Sequence, residues 1–158
     1  MDDALTSAPG SYALVLALSE SSELQVGRLG RIRFDAPYYL YFGSAFGPGG
    51  LEARIGHHLK AARCPHWHID YLRQAADVVE VWYSLDEARL ECVWANTVLT
   101  HRDVTPVARF GSSDCRCRSH LIASNSRPGL SMFQRQQRQI RPDNTRIRRL
   151  RIEHPPAV

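Results

Sequence analysis

The chain has 158 residues, 44% of them hydrophobic, with 20 basic and 16 acidic side chains and a formal net charge of +4. That length suits one compact domain with an appended tail, and a second full domain is not expected. No run approaches the length of a membrane span, and Met1 to Pro9 has two aspartates and no basic apolar segment, so no signal or transit peptide is read and the expected location is cytoplasmic.

Ser11 to Leu18, SYALVLAL, is short, apolar and followed by a polar SESSE cluster, which predicts a strand. Glu23 to Gly27 and Arg31 to Asp35 flank Gly30 as a small hairpin. Tyr38 to Gly43 is aromatic-rich and runs into a glycine-dense stretch through Gly50 that only a loop tolerates. A helix is predicted from Leu51 to about Arg63 on the stripe Leu51, Ile55, Leu59, Ala62. His68 to Ala76 reads as a short helix, Val78 to Ser84 as a strand and Asp86 to about Arg102 as a helix opened by an acidic cap. The order β-β-β-α-α-β-α predicts an α+β fold, a small antiparallel or mixed sheet flanked by helices.

Beyond Ser124 the composition changes. Residues 125–158 hold eight arginines against Asp143 and Glu153, a net +6, so residues 1–124 carry −2. With Pro128, Pro142, Pro155 and Pro156 among Arg and Gln, the segment is expected to be a mobile tail that attracts phosphates.

Several residues carry chemistry. Arg54 and His58 are four apart on the first predicted helix, so both project from one edge of its apolar stripe. There Arg54 suits bidentate phosphate binding, and His58 suits proton transfer or phosphate contact. Glu91 is the only charged residue in LECVWANTVL, and a carboxylate in that apolar company wants a compensating cation. The duller readings are strand aromatics for Tyr12, Tyr39 and Tyr41, an internal Arg54–Glu91 pair, and surface histidines at His57 and His58.

The chain has four cysteines, Cys64, Cys92, Cys115 and Cys117. Cys115, Cys117 and His120 are three possible zinc ligands, with Cys92 a possible fourth, but Cys-x-Cys-x-x-His is not the common Cys-x-x-Cys knuckle. Packed thiols beside a hydrogen-bonded histidine are the preferred reading. In His66-Trp67-His68-Ile69-Asp70, metal ligation by His66, His68 and Asp70 is weighed against Trp67 and Ile69 seating the next helix, and packing is preferred.

Gly10-Ser11-Tyr12 and Tyr41-Phe42-Gly43, followed by Arg54, His58 and Glu91, resemble the active site of GIY-YIG nucleases. With YFGSAFGPGGLEARIGHHL, HWHIDYL, LEC and FGSSDCRCRSHL, residues 9 to 124 resemble more closely a family of GIY-YIG-like domains found alone or fused to endonuclease III-type repair proteins. The resemblance implies a nuclease domain over residues 1–124, before the tail at 125–158. It implies a divalent-metal-dependent endonuclease cutting phosphodiesters in DNA, in repair or processing, with DNA favoured over RNA as partner and no membrane. Tyr12, Tyr41, Arg54, His58 and Glu91 would be catalytic, with Tyr41 or His58 as general base and Glu91 holding one Mg²⁺ or Mn²⁺. The substrate would lie against Gly43, Ser44, His68, Asp114 and His120. The alternative is a repair-accessory module that binds nucleic acid without cutting it.

Overall fold

A computed structural model describes residues 5–60, 64–142 and 146–153. Its centre is β1 (Gly10–Ala17), which pairs antiparallel with β4 (Tyr38–Ala45) on one side and β5 (Asp77–Ser84) on the other. The sheet extends through β7 (Leu121–Ser124) to β6 (Val104–Pro106) at one edge and to β8 (Ile147–Arg151) at the other, in the order β6-β7-β4-β1-β5-β8. Every pairing is antiparallel. β2 (Ser22–Gln25) and β3 (Arg31–Phe34) form the separate predicted hairpin.

β1 reads as a continuous apolar run because both its faces are covered. Tyr12, Leu14 and Leu16 pack with Leu51 and Ile55 of α1 (Gly50–Leu59), Ile69 and Leu72 of α2 (His68–Leu72), and the hairpin's Phe34. Ala13 and Val15 face Trp94 and Val98 of α3 (Glu91–Val98) and Leu130 and Phe133 of α4 (Leu130–Ile140). The fold is thus α+β, a six-stranded antiparallel sheet between two layers of helices.

Four expectations need correction. α1 stops at Leu59, where Lys60 is extended, and the expected continuation through Ala62 and Arg63 lies outside the described residues. α2 ends at Leu72, after which Gln74 N–H bonds the Tyr71 carbonyl (3.2 Å) and Ala75 N–H the Leu72 carbonyl (2.9 Å) in tight turns, while the Arg73 side chain donates to the carbonyls of His58 (2.7 Å), Leu59 (3.3 Å) and Ala76. α3 begins at Glu91 and ends at Val98, not at Asp86 and Arg102: Asp86 accepts from Ala88 N–H (2.9 Å) and donates its own N–H to Ser84 Oγ (3.1 Å), a local turn that competes with helix.

The fourth concerns the tail. Among the described residues, 125–158 is not a loose appendage. α4 buries Leu130, Phe133 and Gln137, and β8 pairs with β5 from Ile147↔Ser84 to Arg151↔Glu80. Phe133 stacks on Trp82 at 5.1 Å and Phe42 at 6.1 Å and meets Trp94 edge-on at 5.2 Å. Several arginines are committed to structure. The buried Glu80 carboxylate takes Arg127 (3.2 Å), Arg149 (3.6 Å) and Trp82 Nε1 (2.9 Å), and Asp86 takes Arg141 (3.8 Å). Asp143, Pro155 and Pro156 lie outside the described residues.

Candidate active site

Strand register brings the two tyrosines together. Tyr12 sits opposite Gly43, and Leu14 opposite Tyr41, so both phenols stand on one face of adjacent strands as a diagonal pair. The Tyr12 ring leans across Gly43, where a Cβ would lie 2.5 Å from the phenol oxygen; only glycine leaves that space. Tyr12 Oη then reaches Nε2 of His58 at 2.6 Å, both groups being buried. His58 is therefore beneath Tyr12, outside the cleft.

β4 leads through the glycine loop into α1, which carries Arg54. Its guanidinium lies 4.3 Å over the Trp67 ring, and Nη1 contacts the Ser44 carbonyl at 3.5 Å. No ion pair joins Arg54 to Glu91 among the described residues, so the internal-pair reading does not hold. Glu91 arrives from the other helical layer. The Leu90 N–H donates to buried Ser11 Oγ at 2.9 Å, which pins the start of α3 next to Tyr12 and brings Glu91 to the end of the sheet. Its Oε2 is buried and has no hydrogen-bond partner.

These residues wall a cleft of about 400 Å³ that also takes in Tyr41, Gly43, Ser44, Asp114 and His120. The structure thus gathers eight of the ten residues expected at the site and leaves out His58 and His68. His68 accepts the Gly111 N–H at Nδ1 (2.8 Å) and packs on Phe110, shaping the loop that carries Asp114 and His120. Sequence reasoning missed Arg89, whose guanidinium sits 4.9 Å over the Phe46 ring in the same cleft. Its signal was proximity, two residues before Glu91. A second groove of about 390 Å³, beside Met132 and Phe133, is more apolar; Arg102, Asp103 and Arg127 line it, but no tyrosine does.

Burial sets the protonation states. It raises Tyr12 well above the ordinary phenol value, aided by Tyr41 and opposed by Arg54, and pushes Tyr41 up to about 12 against the pull of Arg54. Burial also drives His58 down to about 3 despite Asp70, so its imidazole is neutral. Asp70 would be raised by burial, but N–H groups of Trp67 (2.9 Å) and His66 (2.8 Å) and the His57 ring (3.0 Å) hold it low. Asp70 therefore caps α2, as the packing reading of that motif expects. A neutral His58 has two tautomers. One accepts the Tyr12 proton at Nε2 and turns the phenol oxygen's lone pairs outward; the other donates from Nε2 and frees the phenol proton.

The chain belongs to the family described as Domain of unknown function DUF123, whose match spans residues 11–141 and so includes α4. No curated protein and no solved structure matches it. Among the described residues, no helix is long and apolar enough to cross a membrane.

Proposed function

We propose that the protein is a GIY-YIG-type, divalent-metal-dependent endonuclease acting on DNA. The observation that carries this is the buried, unpartnered Glu91 oxygen in a cleft shared with Arg54 and two phenols. An orphaned carboxylate oxygen is costly without a cation, and a Mg²⁺ or Mn²⁺ ion needs one or two carboxylates besides water and substrate phosphate. Glu91 would hold that ion, with Asp114 near, and the ion would supply positive charge to the scissile phosphate.

Arg54 binds the non-bridging phosphate oxygens and stabilises the charge they gain as the phosphorus becomes five-coordinate. Arg89, across the cleft, is a second cation for the same group. Tyr41, protonated at neutral pH, donates a hydrogen bond. With Tyr12 donating to His58 Nε2, its oxygen faces the cleft and receives a hydrogen bond from the attacking water. As that water loses its proton to Tyr12, the Tyr12 proton passes to His58, whose burial penalty a bound phosphate anion offsets. The exposed Arg135, Arg138, Arg146 and Arg151 add sequence-independent attraction to nucleic acid.

The test is cleavage of labelled single-stranded, duplex and branched DNA, with Mg²⁺ or Mn²⁺ against EDTA, by wild type, Glu91→Ala and Arg54→Ala. Cation-dependent cutting that is lost in both variants while Glu91→Ala still binds is the expected result. One feature favours a second reading, a module that binds nucleic acid without cutting: burial drives His58, the final proton acceptor of the relay, down to about 3. Equal binding by wild type and Glu91→Ala with no cutting by either would select it.

A further inference from the structure

The loop that forms one wall of the cleft and the first turn of α3 meet in a cluster that the proposed chemistry does not use. Cys115, Cys117 and His120 approach Cys92, and the three sulfurs and the imidazole nitrogen all lie within 4.8 Å of one another. We infer that Cys92, Cys115, Cys117 and His120 form a closed, structural Zn²⁺ site.

Spacing alone argues for packed thiols; the geometry argues otherwise. A tetrahedral zinc with Zn–S about 2.3 Å and Zn–N about 2.0 Å sets sulfur and nitrogen roughly 3.5 Å apart and two sulfurs about 3.8 Å apart. His120 Nε2 lies 3.4 Å from Cys92 Sγ and 3.5 Å from Cys115 Sγ, which is the edge length of such a tetrahedron. A single neutral ring nitrogen makes one hydrogen bond, as donor or as acceptor, so two sulfurs at equal distance from it are one too many for packing. A shared central cation serves both.

The loop is built to present these ligands. Arg109 N–H bonds the Arg118 carbonyl (2.8 Å) and His120 N–H the Phe110 carbonyl (2.8 Å), closing the loop at its neck. Cys117 and His120 are buried while Arg116 and Arg118, on either side of Cys117, are exposed, so ligands point inward and charges outward. Three thiolates and an imidazole are the soft donor set that favours zinc over magnesium or calcium. Four protein ligands leave no open coordination position, the mark of a structural ion. Binding releases three thiol protons, one from each cysteine, so uptake is pH-dependent. The ion would fasten the loop bearing Asp114 to the helix turn bearing Glu91, whatever reaction that cleft performs.

The experiment is elemental analysis of tag-free protein purified without chelator, alongside cobalt substitution. About one zinc per chain is expected in wild type, in Glu91→Ala and in Cys64→Ser, whose cysteine is exposed outside the cluster. Cys92→Ser and Cys117→Ser should lose it, and cobalt-loaded wild type should show the intense visible bands of a tetrahedral thiolate site. If the serine variants do not fold, thiol titration of native wild type still decides: only Cys64 should react until a strong chelator is added. Folded wild type that takes up no zinc, that loses it in Glu91→Ala, or that carries a disulfide within the cluster would overturn the inference.

Discussion

Phe133→Ala tests whether the arginine-rich segment is part of the fold. The ring is 3% exposed and lies against Trp82, Phe42 and Trp94. Removing a buried phenylalanine forfeits roughly 1.5–3 kcal/mol of transfer free energy. The lost aromatic contacts and the cavity left by incomplete collapse add to that, and a buried phenylalanine truncated to alanine costs about 3–5 kcal/mol in all. For a chain of this size that lowers Tm by roughly 10 °C. Urea and thermal denaturation followed by tryptophan fluorescence would read it, because Trp82 and Trp94 line the vacated space. Met132→Ala is the control: it is the next residue along and 59% exposed, so it should change stability by less than about 0.5 kcal/mol. A Phe133→Ala loss below about 1 kcal/mol, or two variants with equal effects, would refute the packing of α4 on the sheet.

Two further outcomes follow from the buried phenol and imidazole. His58 titrates near 3 in the folded chain, against about 6.5 unfolded, so the folded state binds fewer protons; this contribution is complete above about pH 6.5 and drains as pH falls toward 3. His68, also lowered by burial, acts in the same direction. The urea midpoint should therefore fall between pH 6.5 and 4.5, and less steeply in His58→Gln; parallel slopes for the two proteins would contradict a buried neutral His58. Gly43→Ala drives a methyl to 2.5 Å from Tyr12 Oη and should cost about 1–3 kcal/mol while displacing Tyr12 from His58. Denaturation and NMR of the His58 ring would measure both, and an unshifted ring with unchanged stability would argue against the close approach.

The central strands and α1 were legible because apolar runs and helical spacing coincide there with what the fold buries. β6 and β7 were not, since a three-residue strand ending in Pro106 and a four-residue strand give too little pattern to separate from loop. In α4 the spacing Leu130, Phe133, Gln137 was present in the sequence, but arginine, glutamine and flanking prolines mask it, and the face it covers exists only once β5 and α3 are in place. Residue chemistry pointed to Arg54 and Glu91, and the family resemblance added Tyr12 and Tyr41; the four converge. It could not tell that His58 stands behind Tyr12, because helical position gives a direction and not a depth, and it gave no reason to single out Arg89. Cys92, already a possible fourth ligand in the sequence, lies 23 residues before Cys115, and the loop's closure onto α3 is what sets its sulfur beside the other three donors.

The placement of α4 and β8 also bears on synthesis. Trp82, Phe42 and Trp94 occupy strands and a helix made early, whereas Phe133 and Ile147, which cover them, are added 51 and 65 residues after Trp82. Until then the nascent chain displays an open aromatic face and leaves β5 without its outer neighbour, the kind of surface that recruits chaperones or self-associates. Premature termination after Ser124 would therefore yield a chain prone to aggregation, even though the motif-bearing residues through His120 would all be present.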